Sequence, residues 1–432
     1  MGIFYLYIMT SLLNKFLEYP SVTIDTRTIV PGQIYFAIKG EHFDGNQFVL
    51  QAIEKGAALC ISSDKTFLGV DKVFVVDDTL KALQNLASEY RLTFDIPVLA
   101  ITGSNGKTTT KELLSTVLQT KYRTHFTRGN LNNHLGVPLT LLSTPQDAQF
   151  IIVEMGANHI GEIHDLCNIA QPDYGAITNI GIAHIEGFGS PEGVKKAKSE
   201  LFSFIDNFGK KFFLNTTEQS LLFLQDANNK RIAELDYFRT FIEPQSSDGG
   251  YLTFNYRKQR VQTNLVGDYN MPNVVLALGV GEYFGCDPNR MIDAIQAYQP
   301  TNNRSQLMNI NEVDIIMDAY NANPSSMSHA VDNMLNLQQV KRGVILGDML
   351  ELGENSIMYH RLLLQKIRDA QGALSMVILV GPQFNALKAE FPEFIYYKNT
   401  DEAKSGLDWS QYTGFKVLIK GSRGLKLEAL IN

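Results

Sequence analysis

The sequence predicts an α/β protein of three domains: a small α/β domain over residues 1–95, a central P-loop mononucleotide-binding domain over 96–302, and a Rossmann-like domain over 303–432. Three observations predict this fold class. The 432-residue chain is too long for a single hydrophobic core. Apolar runs of strand length alternate with helix-length segments along most of the chain. One apolar run leads into a glycine-bounded turn of the kind that holds phosphate.

The composition argues against several classes of protein. The net charge is −7 and the chain has no long basic run, which argues against binding of nucleic acid or of an anionic membrane surface. Cys60, Cys167 and Cys286 lie far apart in the sequence, so neither a zinc site nor a disulfide framework is expected. We expect a protein of the reducing cytosol, without membrane insertion.

The apolar stretch Ile3–Met9 is not expected to be a signal peptide or a membrane span. It has no basic flank or cleavage site, and it is far shorter than the ~20 residues of a transmembrane helix. Thr10 or Ser11 is a suitable N-cap for an amphipathic helix that begins with Leu12, so translation is expected to start at Met9 rather than Met1.

The first domain is predicted from short apolar stretches separated by turns. Strands are expected at 34–38, 57–61 and 73–76, and a helix at 79–92. Two polar clusters, Asp25-Thr26-Arg27 and the turn 44–46, fall in turns rather than on apolar faces. As solvated turns they need no further explanation, and the residues alone leave a ligand-binding interpretation equally open.

The phosphate-binding turn opens the central domain, after the apolar run that ends at Thr102. Gly103 and Gly106 allow a tight turn whose N–H groups point inward, Lys107 can reach the outer phosphates, and the Thr108 hydroxyl can bind magnesium. The helix that follows adds its positive end to the same anion site. The alternative is an ordinary glycine turn between a strand and a helix.

This loop departs from the usual G-x-x-x-x-G-K-[ST] pattern. The leading glycine would fall on Ile101, so the chain carries a shorter T-G-x-x-G-K-T-T form.

Two further strands of the central domain each lead to polar residues. The run 150–153 ends at Glu154, a position that resembles Walker B, and the strand at 176–179 leads to His184. Ligands of open α/β sheets bind at the carboxyl ends of strands. A lone histidine is more often structural, but the nearby phosphate loop favours a functional role for His184.

Other parts of the central domain are less specific. The stretch 127–136 is dense in amides, which can simply cap and turn but here favour polar recognition of substrate. A helix is expected around 194–201, with Lys195 and Lys196 on its charged, solvent-facing side. Alternation from Tyr251 to Val261 predicts a hairpin at the sheet edge.

The third domain repeats strand and helix. Four apolar runs, at 313–317, 343–346, 376–380 and 415–419, predict a parallel sheet with right-handed crossovers. Asn323-Pro324 is a suitable N-cap and first-turn pair. Polar motifs follow the strands as D-A-Y-N-A-N-P, G-D-M-L-E-L-G and K-G-S-R-G.

With these motifs the chain resembles the Mur ligases, ATP-dependent amide-forming enzymes of peptidoglycan precursor synthesis. The similarity rests on the short phosphate loop, V-E-M-G-A at 153–157, N-I-G-I-A-H-I-E-G-F-G at 179–189 and A-K-S-E at 197–200. The motifs of the third domain look like those of the last member of the pathway, which joins D-alanyl-D-alanine to UDP-N-acetylmuramoyl-tripeptide.

The resemblance implies roles for individual residues. It implies ATP, two magnesium ions and a carbamylated Lys198, with Lys107, Glu154, His184 and Lys198 as the catalytic residues. The metal ligands would be Thr108, Glu154, His184 and Lys198. ATP would contact Gly103, Ser104, Asn105, Gly106, Lys107, Thr108, Thr109, Asn270, Asn273, Arg304 and Asp318. The other substrates would contact Asp25, Thr26, Arg27, Asn130, Asn133, Asn321 and Asn323.

The sequence departs from the family pattern at three places. Asn46 stands where D-G-H is usual, Tyr269 where G-x-H-N is usual, and residues 215–218 where N-x-D-D is usual. The first two departures concern affinity for substrate or adenine rather than the chemistry.

Other functions remain open on the sequence. The rivals are the Mur ligase that adds the third residue, folylpolyglutamate synthase and, from another class, a P-loop nucleotide switch. The absence of a D-N-P-R motif argues against the first, and the histidine and lysine near the phosphate loop argue against a switch. The implied reaction passes through an acyl phosphate, in a protein expected to be a monomer.

Overall fold

The computed structural model describes residues 12–226, 228–237, 239–245, 250–300, 303–337, 341–370 and 372–431. Four sheets carry the described chain. Three are six- or four-stranded and predominantly parallel, each flanked by helices, which confirms the predicted α/β class with three domains. The proposed start at Met9 and the caps at Thr10 or Ser11 lie outside the described residues, as do residues 301 and 302 at the second predicted boundary.

The first domain is built on a four-stranded parallel sheet in the order β1-β2-β3-β4. Its strands are β1 Val22–Thr23, β2 Ile34–Phe36, β3 Leu59–Ser62 and β4 Val73–Val75. Its helices are α1 at residues 12–18, α2 Val49–Glu54 and α3 Thr79–Arg91. The apolar face of α3, which carries Leu83 and Leu86, joins the core beneath the next sheet, so the first two domains share buried surface.

The central domain is built on six parallel strands in the order β10-β9-β8-β5-β7-β6. They are β5 Val98–Thr102, β6 Thr124–Phe126, β7 Phe150–Glu154, β8 Tyr174–Ile177, β9 Lys211–Asn215 and β10 Ile232–Leu235. Its helices are α4 Lys107–Leu118, α5 Gly136–Leu142, α6 Glu162–Ala170, α7 Ile185–Phe188, α8 Pro191–Phe208, α9 Met271–Tyr283 and α10 Pro288–Ala297. Strands β5, β7 and β8 are buried along their whole length, as expected for a sheet covered on both faces.

The hairpin predicted at the edge of this sheet forms, but its location was wrong. Strands β11 Ile242–Pro244, β12 Tyr251–Tyr256 and β13 Gln259–Val266 make a separate antiparallel sheet. Its apolar side chains, Phe254 and Val261 among them, join the cluster that also contains Leu114. The alternation that predicted the hairpin buries one face against helices rather than extending the parallel sheet.

The third domain is built on six strands in the order β14-β15-β19-β16-β17-β18. They are β14 Gln306–Ile310, β15 Val313–Asp318, β16 Lys341–Gly347, β17 Met376–Val380, β18 Ile395–Tyr397 and β19 Phe415–Lys420. Its helices are α11 Pro324–Asn336, α12 Ser356–Asp369, α13 Pro382–Ala386 and α14 Thr400–Gly406. The four predicted strands are confirmed as parallel, and β14 and β18 extend the sheet at its two edges, with β14 antiparallel.

Short 3-10 turns complete the described secondary structure. They are Gly45–Phe48, Lys65–Phe67, Gln219–Leu224, Asp268–Asn270, Gly353–Asn355, Trp409–Tyr412, Arg423–Leu425 and Leu427–Ile431.

Candidate active site

The carboxyl ends of β5, β7 and β8 open onto a cleft of about 1450 Å³ that the third domain covers from the other side. Most of the site residues predicted from sequence line it. They are Ser104, Asn105, Gly106, Lys107, Thr108, Thr109, Asn130, Asn133, Glu154, His184, Asn270, Asn273, Arg304, Asp318, Asn321 and Asn323. Gly103 and Lys198 are not among the lining residues, nor are Asp25, Thr26 and Arg27 of the first domain.

The loop between β5 and α4 needs glycine at two positions. Gly103 has φ +146°, and a Cβ there would lie 2.0 Å from the Thr178 hydroxyl. Gly106 has φ +76°, and a Cβ there would lie 2.7 Å from the side-chain oxygen of Asn273. Both backbone conformation and close approach therefore exclude a side chain, and the loop is held against β8 on one side and α9 on the other.

Lys107 begins α4 and folds back over its own loop. Its Nζ donates to the carbonyl oxygens of Gly103 at 2.6 Å and Ser104 at 3.2 Å. Burial lowers the pKa of this lysine to about 8, Glu154 opposes the shift, and Arg304 adds to it. The loop thus carries a cation in a setting that disfavours its charge, as expected of a group that receives an anion.

Glu154 ends β7 as a buried carboxylate, 1% exposed. The Thr108 hydroxyl lies 3.1 and 3.0 Å from its two oxygens, and Asn132 donates to it at 2.8 Å. Lys111 Nζ lies 3.7 Å away and donates to the carbonyl of Gly129 at 3.2 Å. The carboxylate therefore sits directly beside the loop hydroxyl, with one buried cation behind it.

Lys111 and Asn132 contact Glu154 but were not among the residues predicted from sequence. Lys111 follows Lys107 by four residues, and this i, i+4 spacing puts both lysines on one side of α4. That spacing was the available signal. Asn132 lies between Asn130 and Asn133, which were predicted to bind substrate, and nothing in the local sequence distinguishes it from them.

The Asn133 side chain forms hydrogen bonds with the backbone at the start of α5. Its side-chain oxygen accepts from the backbone N–H groups of Leu135 and Gly136 at 3.1 and 2.9 Å, at the start of α5. The side chain still borders the cleft. The substrate role predicted for Asn130 and Asn133 stays a prediction.

His184 meets the third domain. Its backbone is left-handed, with φ 51°, and its Nδ1 contacts a carboxylate oxygen of Glu351, another left-handed residue with φ 62°. Burial lowers the pKa of His184, and the nearby Glu351 carboxylate opposes that shift. Glu351 belongs to the G-D-M-L-E-L-G motif but was not among the predicted site residues, because its partner lies in a different domain.

Lys198 lies on α8 and is 2% exposed. Its Nζ donates to the carbonyl of Ala157 at 3.3 Å and lies 5.0 Å from the ring centre of Phe188. Burial lowers its pKa to about 7, and the positive charge of Lys107 contributes. The surroundings of this amine therefore favour its uncharged form. Lys195 and Lys196 lie on the exposed face of the same helix.

Asn270 and Asn273, which were predicted to contact ATP, are buried and bonded to one another. Asn273 donates to Asn270 at 3.0 Å and accepts from Thr110 at 3.0 Å, while Asn270 donates to the carbonyl of Val266 at 2.8 Å. Tyr269, the departure from the family pattern, bonds Ser305 at 2.9 Å, and burial raises its pKa. This network closes the end of the cleft where the central domain leads into the third.

Arg304 and Asp318 occupy the third-domain wall of the cleft. The Arg304 guanidinium stacks over the Tyr320 ring, 3.6 Å from the ring centre. Asp318 accepts from Lys420 at 2.6 Å and from the backbone N–H of Ser305 at 3.2 Å. Lys420 ends β19 beside β15, so parallel strand pairing places it next to Asp318. Lys420 was not among the residues predicted from sequence.

The predicted residues of the first domain form a compact turn of their own. Arg27 and Asp25 form a bidentate ion pair, with distances of 2.7 to 3.1 Å between guanidinium nitrogens and carboxylate oxygens. The Arg27 side chain in this pair is exposed. Hydrogen bonds from Arg27 lower the pKa of Asp25 to about 2. Thr26 donates to Gln51 at 3.1 Å. The described geometry does not bring this turn into the lining of the main cleft.

Asn46, the other departure in the first domain, is buried and fully engaged. Its amide donates to Asp44 at 2.7 Å and to Ser63 at 3.1 Å, while its oxygen accepts from the Ser62 hydroxyl at 2.7 Å. The residue therefore fixes the turn to β3.

The oxygen groups beside the phosphate loop are suitable for magnesium. Glu154 and Thr108 offer a carboxylate and a hydroxyl, which a hard cation prefers. Among the described residues, no group of three or more His, Cys, Asp or Glu side chains is placed to hold a metal ion. Magnesium commonly keeps few protein ligands and takes its remaining oxygens from phosphates and water, so this pair fits such an ion.

No helix within the described parts of the chain is both long and apolar enough to span a membrane.

Comparison with protein families covers the chain in three consecutive parts. Residues 18–99 match the model described as Mur ligase family, catalytic domain; residues 101–281 match the Mur ligase middle domain; and residues 303–423 match the Mur ligase, glutamate ligase domain.

Individual proteins match over nearly the full length. A UDP-N-acetylmuramoyl-tripeptide--D-alanyl-D-alanine ligase of Bacillus subtilis is 34% identical, over 95% of this chain and 92% of its own. A crystal structure of MurF from Acinetobacter baumannii, 29% identical, has a TM-score of 0.82 over 95% of this chain and 92% of that one. MurF ligase from Thermotoga maritima in complex with ADP, 25% identical, has a TM-score of 0.80 over 95% and 96% of the two chains.

Proposed function

The chain belongs to the Mur ligase family, and from that membership we propose that it joins D-alanyl-D-alanine to UDP-N-acetylmuramoyl-tripeptide with hydrolysis of ATP. The single observation that carries the proposal is the likeness, over nearly the whole length of both chains, to ligases of that name. The enzyme would be an ATP-dependent carbon–nitrogen ligase that completes the peptidoglycan precursor.

The proposed reaction starts at the carboxylate of the tripeptide. A carboxylate is a poor electrophile, so the γ-phosphoryl group of ATP is first transferred to it, giving an acyl phosphate. The free amine of D-alanyl-D-alanine attacks the acyl carbon, and phosphate leaves from the tetrahedral intermediate. Lys107 and the backbone of its loop would stabilise charge on the transferring group, since both border the cleft at the start of α4.

Two magnesium ions are part of the proposal, bound through Thr108, Glu154, His184 and Lys198. Magnesium would offset negative charge along the transferring phosphoryl group. Support comes from the proximity of the Thr108 hydroxyl and the Glu154 carboxylate. The contact with Glu351 occupies Nδ1 of His184. Nε2 is therefore the ring nitrogen that would bind magnesium.

Carbamylation of Lys198 is supported by the surroundings of its amine. Carbon dioxide reacts with the uncharged amine, and burial beside Lys107 lowers the pKa of Lys198 to about 7. The product would carry a negative charge where an ammonium group is disfavoured. An ammonium cannot bind a cation, whereas a carbamate supplies hard oxygen ligands.

The remaining assignments follow the same family pattern. We propose that residues 1–95 bind the UDP end of the substrate through Asp25, Thr26 and Arg27, that 96–302 bind ATP, and that 303–432 bind the dipeptide acceptor through residues that include Asn321. We also propose cytosolic location and a monomeric enzyme. The ATP contacts would be those named above, from the phosphate loop to Asp318.

A product assay tests the proposed function. Purified protein is incubated with ATP, magnesium, UDP-N-acetylmuramoyl-tripeptide and D-alanyl-D-alanine, and mass spectrometry follows the pentapeptide product. We expect one ADP per pentapeptide and no product when any substrate is omitted. Tripeptides ending in lysine and in meso-diaminopimelate are compared in parallel. Extension of the dipeptide precursor, or glutamate addition to a folate, would instead support one of the rival ligases.

A further inference from the structure

The first turn of α11 makes two hydrogen bonds to loops of the central domain. Asn323 Nδ2 donates to the side-chain oxygen of Asn105 at 2.7 Å, and the Ser325 hydroxyl accepts from the backbone N–H of Ile182 at 3.0 Å. Asn105 lies in the phosphate loop after β5, and Ile182 lies in the segment after β8 that leads to His184. The third domain therefore contacts both loops on which the proposed chemistry depends.

Asn323 uses both ends of its amide. Its oxygen accepts from the backbone N–H of Ser326 at 2.9 Å, and the Ser326 hydroxyl accepts in return from the backbone N–H of Asn323 at 3.1 Å. These two bonds form a capping box for α11. Because the oxygen is used by the cap, the amide nitrogen must face Asn105. An N-cap needs only an acceptor. Asparagine adds a donor that aspartate lacks, and its side chain reaches Asn105, which a serine side chain is too short to do.

Asn105 forms hydrogen bonds with residues of both the central and the third domain. Its backbone N–H donates to the Asn179 side chain at 3.0 Å, and its carbonyl accepts from the Thr178 hydroxyl at 2.6 Å. Its side chain is the part that Asn323 holds. A shift of α11 relative to the central sheet would therefore act on the phosphate loop at this residue.

We propose that Asn323 is a positioning residue, which couples the third domain to the phosphate loop through Asn105 and does not itself bind the acceptor. Its side chain is 6% exposed and already has a partner at each end. Loss of the bond to Asn105 would leave ATP able to enter the central domain but would weaken the closed arrangement in which phosphoryl transfer takes place. The kinetic part of this inference rests on the proposed function.

The variant Asn323→Ser isolates the coupling. Serine retains an oxygen that caps α11 but is too short to reach Asn105, so the helix should still form. The matched control is Asn399→Ser: Asn399 is exposed and caps α14 by accepting from the backbone N–H of Glu402 at 2.9 Å. Both variants make the same chemical change at an N-cap, and only the first removes a bond between domains.

The full-length variants are compared by small-angle X-ray scattering with saturating adenylyl imidodiphosphate, and by steady-state kinetics. We expect Asn323→Ser to be more expanded than the wild type with nucleotide bound. Its kcat should fall about three- to tenfold, the value of one hydrogen bond, while the KM for D-alanyl-D-alanine changes by less than about twofold. Asn399→Ser should match the wild type in all three quantities.

Two outcomes would overturn the inference. One is a large increase in the KM for D-alanyl-D-alanine with unchanged scattering, which would make Asn323 a ligand of the acceptor. The other is identical behaviour of Asn323→Ser and Asn399→Ser. In an Asn105→Ala background, Asn323→Ser should have no further effect on scattering, because the bond is already absent. The scattering result does not depend on which acceptor is used, so it stands even if the wild type forms no pentapeptide.

Discussion

Lys198 lies where a lysine is costly to keep charged. The side chain is buried, its Nζ donates to the backbone carbonyl of Ala157, and the positive charge of Lys107 acts on it. These surroundings lower its pKa to about 7, because both burial and a like charge disfavour the ammonium form. The uncharged amine that results is the form that can react with carbon dioxide.

Labelled bicarbonate tests this chemistry at a single residue. With ¹³C-bicarbonate, the wild type should show a carbamate carbon resonance that is absent from Lys198→Ala, and the variant should lose turnover while retaining ADP binding. Below pH 7 the ammonium form predominates, so the resonance should weaken as the pH falls through about 7 and strengthen above it. An unchanged spectrum in Lys198→Ala, or wild-type activity in that variant, would exclude a carbamate there.

Lys111 and Glu154 form a buried ion pair behind the phosphate loop, each 1% exposed. We expect Lys111→Met to destabilise the protein by about 3 kcal/mol, because it leaves the Glu154 carboxylate buried without its cation. The control is Lys15→Met, since Lys15 forms an ion pair with Glu18 in which both side chains are 52% exposed. The control should change stability by less than about 1 kcal/mol. Urea unfolding measures both, and equal losses would mean that the buried pair has no special role.

At this scale the sequence allowed part of the site to be predicted. Residues that belong to one local pattern, such as Lys107 and Thr108, could be identified because strand, glycine turn and helix follow one another. Lys111, Asn132, Glu351 and Lys420 were missed because each acquires its role from a partner distant in sequence. Such partners become visible only once strands and domains are placed.

Two glycines with the same backbone conformation can be compared, one in the phosphate loop and one at the end of α7. Gly106 and Gly189 have the same φ of +76°, but a Cβ at Gly106 would lie 2.7 Å from Asn273, whereas a Cβ at Gly189 would have no neighbour within 4 Å. Both alanine variants should lose about 1 kcal/mol of stability from backbone strain. Gly106→Ala must also displace the Asn273 amide, so it should bind ADP at least tenfold more weakly.

Calorimetry with ADP and thermal unfolding measure these two effects separately. Equal ADP affinity in the two alanine variants would show that the close approach of Gly106 to Asn273 has no effect on the nucleotide site. A loss of affinity in Gly189→Ala alone would contradict the assignment of the phosphate loop.

Among the elements, buried strands were the most predictable. The runs that became β5, β7 and β17 are continuous apolar segments, which a sheet covered on both faces requires. The two edge strands of the third domain were not predicted: β14 is largely half-exposed, and β18 has three residues. The hairpin of β12 and β13 was foreseen, but alternation alone does not tell which sheet a hairpin joins.

Across the whole molecule, the central and third domains meet at the cleft. Asn323, Ser325 and Glu351 of the third domain contact loops of the central domain. The carboxyl ends of the central strands and the third-domain motifs therefore line one space, in which ATP and two further substrates could meet away from water. The motif order along the chain predicted the domains, but not these contacts between them.

The proposed reaction requires phosphorylation of the tripeptide carboxylate before the amide forms. Its most direct test uses UDP-N-acetylmuramoyl-tripeptide labelled with ¹⁸O in both oxygens of the terminal carboxylate, together with ATP and D-alanyl-D-alanine. The acyl phosphate route predicts one ¹⁸O atom in each inorganic phosphate released and one retained in the new amide. Unlabelled phosphate, with its oxygen taken from water, would exclude an acyl phosphate.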